Sequence, residues 1–233
     1  HELRQLVSAL LGLATENDEI VVRLESAGGM VNAYGLAASQ LARIRAKEIP
    51  LTVCIDKIAA SGGYLVACQA DRVLAAPFAI IGSIGVVAPV PNVHRLLESH
   101  GVDYEEFTAG DFKRPVSFFG KISEKGREKL QEQLEDTHTL FKEAVSENRR
   151  DLAIEEVATG EYWFGKRAKE LNLVDEIMTS DDYLLQNLPD ARILHVVLED
   201  VTSLSARLAQ RFEATLERTV VRALTRLLGS RYA

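Results

Sequence analysis

The sequence predicts an α/β protein with a mostly parallel sheet, and three observations carry that prediction. Short apolar runs such as Ile20-Val-Val-Arg-Leu24 and Leu51-Thr-Val-Cys-Ile55 read as strands. They alternate with segments whose apolar residues recur every three or four positions, as in βαβ units whose helices cover both faces of a sheet. Finally, two strand units end in glycine pairs, Gly28-Gly29 and Gly62-Gly63. Ligands of parallel sheets bind at such carboxyl-edge turns.

The elements follow in order. Leu3, Leu6, Val7, Leu10 and Leu11 place a helix over residues 2–14. After the strand at 20–24 and the turn Ser26-Ala-Gly-Gly29, a helix runs through Tyr34, Leu36, Ala37, Leu41 and Ile44 until Pro50 stops it. The strand 51–55 leads to Ser61 and a short apolar helix, Tyr64-Leu-Val-Ala-Cys68. Further strands are expected at 72–75 and 79–87, the latter with glycines that allow another backbone to come close. A helix at 92–99 and a strand at 103–108 precede the loop AGDFKRPVSFFGK. A long charged helix spans 123–150, followed by short helices and a strand at 173–177.

The composition changes after Pro189, and the chain is divided into residues 1–180 as one domain, the reach of the resemblance given below, and 181–233 as an extension. The extension is expected to hold a strand, Ile193–Leu198, and an amphipathic helix with Leu204, Leu208, Phe212, Leu216, Val220, Leu224 and Leu228 on one face. Its other faces carry Arg207, Arg211, Arg218, Arg222 and Arg226, which suits either packing on a protein neighbour or contact with an anionic membrane surface.

A chain of 233 residues with 47% hydrophobic and 26% charged residues can bury a sizeable core. Its net charge of −7 speaks against a nucleic-acid partner, which calls for a basic field. The two cysteines, Cys54 and Cys68, lie in apolar runs and read as buried thiols, neither a disulfide framework nor a metal site. No apolar run reaches the ~18 residues of a membrane span. The chain starts at His1 inside an amphipathic pattern, as a piece of a longer protein would, so a preceding signal or anchor would not be visible.

Ser61 sits where a strand-to-helix turn thrusts a side chain into a cleft. It can be a helix N-cap or a nucleophile. A serine hydroxyl needs a proton acceptor to attack. None of His1, His94, His100, His138 and His195 stands in a glycine-rich loop or beside a carboxylate in a recognisable arrangement. A lysine serves instead when apolar surroundings favour its neutral amine. Most lysines lie on charged faces, whereas Lys113 occupies a Gly- and Pro-punctuated loop beside Phe112, Phe118 and Phe119. Taken singly it is a surface lysine as readily as a base. The paired glycine turns favour chemistry, because two backbone N–H groups from two such turns make an oxyanion hole.

The segments LESAGGMVNAYGLAASQL, DKIAASGGYLVACQAD, APFAIIGSIGVV and TAGDFKRP resemble the signal peptide peptidase A (protease IV) family of Ser/Lys peptidases, and within it the SohB branch. The resemblance covers roughly residues 1–180. It implies a fold similar to Clp protease and crotonase, a twisted sheet of ββα units. It implies Ser61 as nucleophile, Lys113 as general base, the N–H groups of Gly28 and Gly62 as oxyanion hole, and Ser83 as the hydroxyl that orients the lysine. No metal or cofactor is implied. The expected partners are peptide substrates, hydrophobic or derived from signal peptides, and further copies of the chain, with serine and lysine able to come from adjacent subunits. The expected location is the inner membrane, with the catalytic domain on the periplasmic side and tethering through an N-terminal segment absent from this chain. Ala27 stands where the family commonly has proline, without disturbing the two glycines that follow. Two other classes remain open at this level: a crotonase-like acyl-CoA enzyme and a non-catalytic oligomeric scaffold at the membrane.

Overall fold

The computed structural model describes residues 2–198. A compact unit runs His1–Leu194, so it continues beyond residue 180. The expected amphipathic helix of the C-terminal extension lies outside the described residues. Ile193–Leu198, expected as a strand, forms no regular element.

The core is a four-stranded sheet in the order β1-β2-β4-β7, parallel throughout. Its strands are β1 (Ile20–Arg23), β2 (Leu51–Ile55), β4 (Arg72–Ala75) and β7 (Glu176–Ile177). Every residue of β2 is buried, as befits a central strand covered on both faces. Each large aliphatic side chain so buried contributes roughly 1.5–3 kcal/mol. A second sheet, β3-β5-β6, holds β3 (Ile58–Ala60) parallel to β5 (Ile80–Gly82) and β6 (Tyr162–Phe164) antiparallel to it. Consecutive β2 and β3 followed by α3 (Gly62–Ala67) form one ββα unit, the repeat that the resemblance implied.

Helices cover these sheets. α1 (Glu2–Leu13) packs on α2 (Val31–Arg45), which buries Ala38, Leu41 and Ile44 at helical spacing and lies against α3. α2 ends before Glu48, whose φ of 57° breaks the helical path ahead of Pro50. α4 (His94–Ser99) is short and has no buried residue. α5 (Glu124–Asn148) is capped by Ser123, whose hydroxyl accepts the Gly126 N–H at 3.1 Å. It turns Phe141 and Val145 inward while its Glu- and Lys-rich faces meet solvent. α6 (Ile154–Val157), α7 (Gly165–Glu170) and α8 (Ser180–Asn187) complete the unit. Tyr64 is wholly buried and donates its hydroxyl to the Leu173 carbonyl at 2.8 Å, tying α3 to the segment before β7. Cys54 and Cys68 are buried and free, and burial pushes each thiol up to about 12.

Three expectations are corrected. Residues 103–108 form no strand. All of them are exposed, and without a neighbouring strand their backbone groups turn to water. The strand expected over 79–87 is confined to β5, because Gly82 (φ 103°) and Ser83 (φ 50°) turn the chain out of the sheet. And the strand 51–55 does not run directly into the Ser61 turn, since β3 intervenes and moves the chain from the first sheet to the second.

Candidate active site

Ser61 ends β3 and precedes α3 with φ 52° and ψ −123°, a conformation that only glycine adopts without strain. Two anchors hold it there. Its N–H donates to the Gly82 carbonyl at 2.8 Å, and its carbonyl accepts from the Tyr64 and Leu65 N–H groups. The hydroxyl itself makes no helix-capping bond, so the N-cap alternative does not describe it. Oγ has no hydrogen-bond partner among the described residues.

The β1 side of the site is built on Ser26. Its backbone bridges to β3 through Ser26 N–H to Ile58 O (2.9 Å) and Ala60 N–H to Ser26 O (3.0 Å). The next turn is thereby pressed onto the elbow. A Cβ on Gly28 would lie 2.8 Å from Ala60 O and from Ser61 Cβ, and Gly28 adopts φ +91°. A Cβ on Gly62 would run into the Tyr34 ring, and one on Gly63 into the Ser26 carbonyl. Gly28 and Gly63 thus permit backbone to lie against backbone, while Gly29 and Gly62 leave room for the Tyr34 ring.

The Gly62 and Gly63 N–H groups are claimed by no acceptor among the described residues, as first-turn donors of a helix lack intrahelical partners. Gly28 N–H, by contrast, donates to Ser26 Oγ at 3.2 Å. Ser61, Gly62 and Gly29 line a cleft of about 140 Å³. Gly85 and Val86 form one wall, and Leu140 and Phe141 of α5 another. No charged side chain lines it. The paired turns were legible in the sequence. Tyr34 and the α5 wall were not, because Tyr34 reads only as one position of a helix and α5 as a charged surface helix.

The other expected site residues lie apart. Ser83 is half-buried beyond β5, its N–H donating to the Glu161 carbonyl at 2.7 Å. It directly follows Gly82, the residue that anchors Ser61. Lys113 does not line the cleft: it is exposed, in a loop where its N–H donates to Gly110 O at 3.1 Å. No histidine lines the cleft either. His94 is half-buried, His100 is exposed, and His138 is half-buried with an unpartnered Nε2.

The parallel α/β core, the strained strand-to-helix turn at Ser61 and the two glycine turns beside it together define the candidate site. Residues 43–191 match peptidase family S49 and residues 1–41 match the peptidase family S49 N-terminal region. The chain belongs to peptidase family S49. It is 56% identical over 194 residues to the probable protease SohB of Haemophilus influenzae, covering 83% of this chain and 55% of that protein. It is 31% identical over 167 residues to the putative signal peptide peptidase SppA of Enterococcus faecium, covering 71% and 48% respectively. To protease 4 of Salmonella typhi it is 32% identical over 165 residues, 70% of this chain and 26% of that protein. The chain spans little more than half the length of its SohB relatives.

Proposed function

We propose that this chain carries the active site of a serine endopeptidase working by acyl transfer. The observation that carries the reading is the Ser61 elbow: a strained, unpaired hydroxyl over an apolar cleft, flanked by the unclaimed N–H of Gly62. In the reaction Ser61 Oγ bonds to the peptide carbonyl carbon while its proton passes to the Lys113 amine. The carbonyl oxygen becomes an oxyanion held by the Gly62 N–H and by the Gly28 turn. The C–N bond then breaks, Lys113 returns the proton to the leaving amine, and water hydrolyses the acyl-enzyme. One oxyanion donor contributes about 10²–10³ in rate.

Lysine acts as a base only in a dry site. Lys113 is exposed in the single chain, so the reading requires a second copy to cover its loop. The surroundings support such assembly: Phe107 is 91% exposed and Val87 85%, with Phe112, Phe118 and Phe119 also exposed. Ser83 then serves as the hydroxyl that orients the lysine.

The uncharged lining favours an apolar peptide and offers nothing for the phosphates of an acyl-CoA. β5 cannot receive a substrate strand, since β3 and β6 occupy both its edges. Gly85–Val87, just beyond, makes no backbone hydrogen bond among the described residues and offers an extended peptide a pairing edge away from Gly160. Signal-peptide remnants at a membrane, with the domain outside the cytoplasm, fit this preference, although no helix among the described residues is long and apolar enough to cross a bilayer.

The test is hydrolysis of a fluorogenic hydrophobic peptide, together with fluorophosphonate labelling, by the native-length protein. Ser61→Ala should abolish both. Full hydrolysis by Lys113→Ala would remove lysine from the mechanism, and failure of the wild type to be labelled or to cleave would leave the scaffold reading.

A further inference from the structure

The two glycine turns of the site share one side chain, Tyr34, which the chemistry above does not use. Its ring lies against the Gly29 and Gly62 backbones: a Cβ on Gly29 would lie 2.9 Å from Tyr34 Cε2, and one on Gly62 would collide with the ring. Its hydroxyl shares a 2.6 Å hydrogen bond with Ser26 Oγ. That oxygen in turn accepts the Gly28 N–H at 3.2 Å, while the Ser26 backbone is bridged to β3 directly ahead of Ser61. Tyr34 projects from the first turn of α2, and α2 is packed on α3. It therefore touches both halves of the elbow at once.

We propose that Tyr34 is a positioning residue for the oxyanion site. Its hydroxyl sets the Ser26 rotamer and, through the Ser26 bond to Gly28 N–H, the placement of the turn that presents Gly29 to the cleft. Its ring sets how far the Gly62 peptide stands from the Gly28–Gly29 turn. The inference rests on the peptidase reading and deepens it.

The two contributions differ in reach. Without the phenol oxygen, Ser26 Oγ keeps only the long bond from Gly28 N–H and is free to change rotamer. That bond is then the only side-chain hydrogen bond left to the turn among the described residues. A carbonyl in the ground state tolerates a loosely aimed donor, whereas an oxyanion does not. The loss should therefore fall on the chemical step. A tyrosine that merely filled the core would show a different pattern, because Tyr34→Phe keeps the ring and its packing.

The test compares wild type, Tyr34→Phe, Ser26→Ala and the double variant in the native-length protein, by steady-state hydrolysis, by affinity for a peptide boronate that forms a tetrahedral adduct, and by thermal melting. Tyr34→Phe should lower kcat about tenfold with KM within twofold. Boronate affinity should fall in parallel, with little change in melting temperature. Ser26→Ala should do the same, and the double variant should be no worse than Ser26→Ala alone, because Tyr34 acts through that hydroxyl. Unchanged kcat in Tyr34→Phe, a loss not shared by boronate affinity, or additive losses in the double variant would each overturn the assignment. A wild type that cleaves no peptide would instead bring down the peptidase reading and this inference with it. An active wild type beside an equally active Tyr34→Phe brings down only this one.

Discussion

The Ser61 N–H donates to the Gly82 carbonyl at 2.8 Å, and this bond joins three unusual backbone conformations. Ser61 has φ 52°, Gly82 φ 103° and Ser83 φ 50°, so β3 and β5, paired in parallel, both leave their sheet through left-handed residues at the same level. The elbow is thus held by the sheet and not by the serine's own preference. Strain of this sort is worth about 1–3 kcal/mol per residue.

From that strain follows a comparison of two variants that both lack the hydroxyl. Glycine adopts the Ser61 conformation freely whereas alanine does not, so Ser61→Gly should melt above Ser61→Ala, by about 1 kcal/mol. Calorimetry of the two side by side measures the difference. An equal or lower melting temperature for the glycine variant would mean that the elbow is unstrained.

Gly63→Ala tests the close approach of the two turns. Its Cβ would strike the Ser26 carbonyl, a backbone atom already engaged by Ala60 N–H, so neither side can yield without breaking the bridge. A loss of at least ~2 kcal/mol is expected in denaturant titration.

Asp56 gives the pH dependence. Burial opposes its charge most strongly. The Ser180 hydroxyl (2.6 Å), the Ser180 N–H (2.8 Å) and the Arg23 guanidinium outweigh that effect and hold the carboxyl below its usual 3.8. A depressed folded value means that the carboxylate's contribution is complete at neutral pH and is lost as pH falls through the folded value. Asp56→Asn should therefore cost ~1–2 kcal/mol near pH 7. The melting-temperature gap to wild type should close only below about pH 4.

Tyr64→Phe removes the donor to the Leu173 carbonyl inside the core. The orphaned carbonyl should cost ~1–3 kcal/mol, read as a lower denaturation midpoint at unchanged slope.

Lys113→Ala separates chemistry from stability. The side chain is exposed and has no ion-pair partner among the described residues, so melting should change by less than about 0.5 kcal/mol. Peptide hydrolysis should disappear all the same.

What could be read from the sequence was whatever is encoded locally. β1, β2 and β4 are apolar runs with turn residues at their ends, α2 and α5 show their periods and stops, and Ser61 announces itself between glycines. Local patterns also suggested strands at 103–108 and across 83–87, where none forms, because a strand exists only if another lies beside it. β6 was missed for the same reason: Tyr162–Phe164 pairs with Ile80–Gly82 across some eighty residues of chain. Ser26, Tyr34 and the α5 wall meet the serine only after α2 and α5 have packed on α3. By itself the sequence determined which backbone turns could bear a nucleophile, since glycine content and apolar runs are properties of neighbouring residues. Tertiary structure alone decided what surrounds Ser61 and left Lys113 at the surface. Sheet pairing and helix packing bring together residues whose separation along the chain carries no local trace.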